Sequence, residues 1–265
     1  MKTQSLKNKL KSGLAASAII LSTIVGSTVK VEAQTPVKNV VSVHGAFADG
    51  SGYQGVYNIL VKKGYNVTVV QNPLTSLQDD VDAANRAIDK QDGPVILVGH
   101  SWGGTVITEA GNNPKVAALV YIAAFAPDNG ESTLKLAQSL PAAPENGILP
   151  PDDKGFIYFS KEKFHAGFAA DLSKEQADFM FASQGPVAVK GFVAPITQAA
   201  WKTKPSYGIV ATEDKAINPD IERNMYKRAG SKVTEIKASH VVFISHPDAV
   251  AKVIIEAATK ASETK

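Results

Sequence analysis

The segment Gly99-His100-Ser101-Trp102-Gly103-Gly104 follows the apolar run Val95–Val98 directly and precedes a pattern of helical periodicity. A chain that passes from strand to helix within about one residue forces the residue at the turn into a strained conformation, and small neighbours relieve the crowding. Ser101 occupies that turn, with Gly99 and Gly103 on either side. Its hydroxyl is expected at the edge of a sheet, over a helix N-terminus that favours developing negative charge. This is the placement of a nucleophile for acyl transfer. A serine hydroxyl is weak until a base takes its proton, so a histidine oriented by a carboxylate has to follow downstream.

For a nucleophile on such a turn the chain order is serine, then acid, then histidine after the last strand. Of five histidines, His240 stands just after the run Lys232–Ile236 and has that position. His246 is the rival, but it abuts Pro247 at an expected helix start; His44 and His100 end strands, and His165 lies in an irregular middle region. The acid belongs at the end of the run Tyr207–Ala211, where Glu213 and Asp214 are both candidates. Asp214 is preferred, the shorter acid being the usual partner of the Nδ1 atom. The oxyanion formed on acyl attack needs preorganised N–H donors. Trp102, next to the nucleophile, offers one. The other is expected from the loop after the first strand, His44-Gly45-Ala46-Phe47, with Ala46 preferred and Phe47 the alternative.

These residues need a frame that brings strand ends together. Val40–Val43, Asn66–Val70, Val95–Val98, Val116–Ala123, Tyr207–Ala211 and Lys232–Ile236 are short β-branched runs that read as buried parallel strands. Between them, Tyr53–Lys63, Leu77–Lys90, the stretch from Ser101 to Gly111, Pro219–Ala229 and Pro247–Ala261 carry helical periodicity. The alternation implies an α/β fold: one six-stranded, mostly parallel sheet with helices on both faces. Residues 127–204 break the rhythm, with Pro141, Pro144, Pro150 and Pro151 close together and then seven aromatics from Phe156 to Phe181. An unstructured loop of that length is improbable in a compact domain, so a lid subdomain is expected. Phe164 and Phe168, four apart on an expected helix, share one face and are candidates for substrate contact.

Composition narrows the chemistry. The 265 residues contain no cysteine, which excludes a thiol nucleophile, disulfides and thiolate metal sites. The net charge is +3, but Lys2, Lys7, Lys9, Lys11 and Lys30 against Glu32 place +4 in the first 33 residues and leave −1 for the rest. A near-neutral body offers no basic stripe for nucleic acid. The first 33 residues have a basic start, an apolar stretch from Gly13 to Gly26 and the ending Val31-Glu32-Ala33, which is the plan of a secretory signal peptide. The apolar stretch is shorter than the roughly 20 residues that span a bilayer. Export from a bacterial cell, secreted or periplasmic, with cleavage before Gln34 and no lasting membrane anchor, is the expectation.

The strings VHGAFADG from Val43, GHSWGG from Gly99, ATEDKAI from Ala211 and SHVVFISHP from Ser239 resemble those of the α/β-hydrolase superfamily. Within it the chain is similar to the small lidded group of plant methyl esterases and hydroxynitrile lyases and their bacterial esterase relatives, and to the six-stranded members that lack the superfamily's first two strands. The resemblance implies Ser101, Asp214 and His240 as a catalytic triad, with Ala46 and Trp102 as oxyanion donors. Two departures speak against cyanohydrin cleavage: Val241 stands where the lyases carry lysine, and Gly45 where they carry threonine. The expected function is an exported serine hydrolase of carboxylesterase type, acting without cofactor or metal on a small, partly apolar ester. An amide, lactone or thioester hydrolase with the same residues, or a non-catalytic small-ligand-binding protein, is the alternative.

Overall fold

In the computed structural model, which describes residues 37–263, the β-branched runs form a sheet of six strands. These are β1 (Asn39–Val43), β2 (Asn66–Val70), β3 (Val95–His100), β4 (Val116–Ile122) and two that follow a long insertion. The insertion contributes its own two-residue antiparallel pair, β5 (Phe156–Ile157) and β6 (Val187–Ala188). The main sheet then resumes with β7 (Ser206–Ala211) and β8 (Lys232–Ile236). The order is β2-β1-β3-β4-β7-β8 and every pairing is parallel. The expected leader, residues 1–33, lies outside the described residues.

Position in the sheet decides burial. The central strands β1, β3 and β7 are buried along their whole length, as continuous apolar runs require when both faces are covered. The runs of β2 and β8 are less buried than their composition suggests, because they are the two edges and only part of each side is covered. Helices α1 (Gln54–Lys62) and α10 (Pro247–Glu263) cover one face. Helices α2 (Leu77–Asp89), α3 (Trp102–Ala110) and α8 (Pro219–Arg228) cover the other. Starts are set locally: the Ser76 hydroxyl accepts from Asp79 N–H to cap α2, and Asn218 caps α8 ahead of Pro219.

Between β4 and β7 lie α4 (Thr133–Ala137), α5 (Lys161–Phe168), α6 (Lys174–Ala182) and α7 (Val189–Val193). Phe159 is the hub of this region. Its ring meets Phe47, Phe164 and Phe168 at centroid separations of 5.8, 5.6 and 5.5 Å. Most of the seven aromatics therefore serve the region's own packing, while Phe179 on α6 is 69% exposed.

Helix α8 fastens the far end of β4. The Tyr226 hydroxyl accepts from Ala124 N–H and donates to Ala124 O, both at 2.9 Å, in a fully buried setting. One turn earlier the Glu222 carboxyl is also fully buried, with no hydrogen-bond partner for either oxygen. Burial first, and the neighbouring Asp214 carboxylate second, push it well above the ordinary glutamate range. Tyr226→Phe leaves both backbone groups of Ala124 unpaired and is expected to cost about 1–3 kcal/mol, measured by urea unfolding. Glu222→Gln is expected to stabilise the protein increasingly as the pH rises above the ordinary glutamate range. There the unfolded chain releases a proton that the folded one retains, so the wild type loses stability and the amide does not. Thermal midpoints of both proteins between pH 4 and pH 8 measure this, and a difference that does not grow with pH overturns the assignment.

Candidate active site

Ser101 follows β3 directly and caps α3 with φ 54° and ψ −121°, a left-handed backbone that costs a non-glycine residue about 1–3 kcal/mol. Backbone hydrogen bonds impose it. Ser101 N–H donates to Ile122 O at 3.2 Å, and Ser101 O accepts from Gly104 N–H at 2.9 Å and Phe125 N–H at 3.2 Å. The glycines of the motif are required by contact: a Cβ on Gly99 would stand 2.5 Å from Gly103 O, and one on Gly103 would stand 2.5 Å from Val43 O.

The acid and the histidine meet. His240 Nδ1–H donates to Asp214 Oδ2 at 2.6 Å, with both side chains almost wholly buried. The other oxygen of Asp214 accepts from the N–H groups of Ala216 and Ile217, at 2.7 and 2.9 Å, so a tight turn after β7 fixes the carboxylate. Glu213 is turned outward toward Lys237, at 3.6 Å with both largely exposed. His246 lies apart from this group, its Nδ1 bonded to the Ser245 hydroxyl at 2.9 Å. No hydrogen bond joins Ser101 Oγ to His240; nucleophile and base are often this loose until substrate is bound.

The loop after β1 supplies the facing wall. Phe47 N–H is engaged by Gly185 O at 3.2 Å, whereas Ala46 N–H donates to no group among the described residues. Trp102 N–H belongs to the first residue of α3, where a helix leaves its amides unpaired. Ala46 and Trp102 thus each hold an uncommitted donor beside Ser101. Gly45 permits the approach, since a Cβ there would stand 2.8 Å from Ser101 Cβ.

Two further histidines pack behind the site and stay neutral. His100 Nε2–H donates to the backbone oxygen of His240 at 3.0 Å, and the rings lie 4.6 Å apart. Burial holds its pKa well below the usual imidazole value, aided by His240. His44 accepts from Asn72 N–H through Nε2 at 3.2 Å, and its Nδ1 is 2.8 Å from Gly45 O; burial lowers its pKa too. His165 bonds to Leu172 O at 2.9 Å within the insertion.

A cavity of about 280 Å³ joins these parts, with Ser101 and His240 in its wall. Its apolar surface comes from Phe47, Phe125, Leu134, Ile148, Phe168 and Phe192, and no charged side chain lines it. Of the two phenylalanines proposed from the sequence, Phe168 lines this cavity and meets the His240 ring at 4.8 Å. Phe164 does not. It sits behind Phe168 at 4.9 Å, packed against Phe159 and Phe181, because the shared face of α5 points its two rings to different depths. Phe192 carried no local signal for its place in the wall. Asp80 was also hidden: a pair of acids at the start of α2 reads as charge placed on a helix dipole, yet only Asp79 stays outside. Asp80 is fully buried and accepts from Leu74 N–H at 2.8 Å, Asn72 Nδ2 at 3.3 Å and the Trp102 indole at 2.7 Å. A wider depression of about 770 Å³ lies at the opposite end of the sheet, among Pro94, Pro114 and Pro205, away from all these groups. Among the described residues no cluster of three or more His, Asp or Glu stands together to hold a metal ion.

The chain is similar to known proteins at a distance. The α/β hydrolase nvfD of Aspergillus novofumigatus is 27% identical over 248 residues, covering 84% of this chain and 98% of its own. A putative chloroplastic methylesterase 11 of Arabidopsis thaliana is 28% identical over 250 residues, 82% of this chain and 63% of that longer protein. The crystal structure of a pyrethroid hydrolase from Sphingobium faniae superimposes with a TM-score of 0.71 at 22% identity, covering 85% of this chain and 99% of that one. At that identity the structural likeness concerns the fold. The sequence model of the alpha/beta hydrolase family matches residues 40–253, a span that holds all of the sheet but Asn39 together with Ser101, Asp214 and His240, and the chain belongs to that family.

Proposed function

We propose that the protein is a serine hydrolase of carboxylesterase type, cleaving a small, uncharged and largely apolar ester. The observation that carries this is the meeting of three parts at one apolar cavity: the strained Ser101 turn, the buried His240–Asp214 pair and two uncommitted backbone donors. The esterases and hydrolases among its relatives support the same reading.

Ser101 Oγ attacks the ester carbonyl carbon while His240 Nε2 takes the hydroxyl proton. Asp214 holds the imidazolium that results, and its contact with Nδ1 keeps Nε2 aimed at the cavity. The carbonyl oxygen becomes an oxyanion that the Ala46 and Trp102 amides receive. Collapse breaks the bond to the alcohol, which leaves with the proton from His240. Water then attacks the acyl-serine, giving its proton to His240, and the acid departs as Ser101 regains its hydrogen. A cavity of about 280 Å³ is just below the roughly 300–1,000 Å³ usual for ligand pockets. With no charged lining group it offers nothing to balance a charged substrate, which would lose its hydration uncompensated.

Hydrolysis of p-nitrophenyl butyrate tests the assignment of roles. Ser101→Ala and His240→Ala are each expected to lower kcat by about 10³-fold or more, and His246→Ala to leave it largely intact. Ser101→Ala retaining a tenth of the activity overturns the nucleophile. A wild type that binds the ester without turnover makes the chain a ligand-binding protein.

The cavity wall generates a second expectation. Phe192→Ala enlarges the site and is expected to shift the ranking of kcat/KM toward longer acyl chains, with one methylene worth roughly 1–3 kcal/mol. Phe164→Ala, behind the wall, is expected to cost about 3–5 kcal/mol of stability and to leave that ranking unchanged. If both variants keep the wild-type ranking, chain-length choice lies elsewhere.

A further inference from the structure

The segment that carries His240 is held at both ends by one carboxylate of the insertion. Asp171 lies between α5 and α6, remote in sequence from the strand ends. Its Oδ2 accepts from Ser239 N–H at 2.9 Å and from the Ser245 hydroxyl at 2.8 Å, and its Oδ1 accepts from the Ser239 hydroxyl. Ser239 immediately precedes His240, and Ser245 ends the short helix α9 (Val242–Ser245) that follows it. Three residues before Asp171, the Phe168 ring meets the imidazole edge-on. The insertion thus touches His240 both directly, through an aromatic ring, and along the backbone on either side.

Each bond to Asp171 is charge-assisted and so stronger than a neutral one. Burial works against the charge, but the donors from Ser239 and Ser245 outweigh it and keep the carboxyl below its ordinary range. Asp214 and His100 hold the imidazole ring and the His240 carbonyl from beneath, at 2.6 and 3.0 Å. Neither fixes the peptide unit that leads into His240. Asp171 grips Ser239, which precedes His240, through the N–H of the Ala238–Ser239 peptide and through the hydroxyl.

We infer that Asp171 is a positioning residue for the catalytic base: through Ser239 it sets where His240 stands, so the readiness of Ser101 depends on the seating of residues 168–171. The inference rests on the proposed roles of Ser101, Asp214 and His240. It differs from a mere fastening of the insertion in what it predicts. A fastening governs substrate retention and stability, whereas a positioning contact governs the rate at which the serine reacts with anything.

The rate of covalent labelling of Ser101 by a small alkyl fluorophosphonate reads this directly, since the probe makes little use of the cavity wall. In the full-length protein, Asp171→Ala is expected to slow labelling and kcat together, by roughly ten- to a hundredfold, as misplacement of a reacting group by about 1 Å does. KM should stay within about threefold, on the same ground. Asp171→Asn retains one acceptor oxygen and is expected to fall between Asp171→Ala and the wild type, which keeps the test available if the alanine variant folds poorly. Asp178→Asn, which breaks an exposed pair with Lys174 on α6, serves as a control within the insertion and should label at the wild-type rate. Labelling of both Asp171 variants at the wild-type rate, with a raised KM or a lowered thermal midpoint, overturns the inference while leaving the hydrolase reading intact. A wild type that does not label at all removes the hydrolase reading, and this inference with it.

Discussion

Close backbone approach around Ser101 is the constraint on which the rest depends. The turn from β3 into α3 is so tight that a Cβ at Gly104 would stand 2.2 Å from Phe125 O, and one at Gly99 or Gly103 would be nearly as close to backbone. These glycines have ordinary negative φ; what they supply is the absence of volume. The strain itself falls on Ser101, the residue of the turn that has both a positive φ and a side chain. β1, β3 and β4 must therefore end at fixed relative depths, and the buried tyrosine of α8 clamps the third of them at Ala124.

From that arrangement the electrostatics follow. Three histidines gather near Ser101, yet only one faces a carboxylate. Desolvation lowers the pKa of His44 and His100, which favours their neutral form beside His240 and leaves them as directional hydrogen-bonding groups. Buried acid is separated in the same way. Asp214 receives three donors. Glu222 has no partner for either oxygen, and burial beside Asp214 pushes its carboxyl well above the ordinary glutamate range.

Much of this was legible in the sequence because it is local. The six strands are apolar runs bounded by turn signals, and the observed limits lie within two residues of those read from the pattern. The placement of Ser101, Asp214 and His240 near strand ends was readable because a strand end followed by a fixed residue type says where a side chain stands. The choice between Ala46 and Phe47 was not, for it turns on Gly185, some 140 residues away, taking one of the two amides. Asp80 and Asp171 were equally silent: each looks like an ordinary acid near a helix start, and only the chain folding back reveals donors converging on it. The interior of the insertion resists reading for a related reason. Phe164 and Phe168 share a helix face, and the depth at which that face meets the body decides which ring touches the cavity.

The crossover from β4 to β7 runs from residue 123 to residue 205, yet the two strands lie side by side. Loop-closure entropy grows only with the logarithm of length, so doubling such a connection costs about 0.6 kcal/mol, less than a typical buried hydrogen bond. Segments can therefore be gained, lost or exchanged within this crossover at little cost to the sheet. What resists change is the set of points where it is stitched to the body, such as Gly185 on Phe47, Ala188 on Leu74, Thr197 on Glu109, and Asp171 on the segment around His240. Diversification of such a scaffold is then governed by whether a new roof can reproduce those stitches, whatever its length.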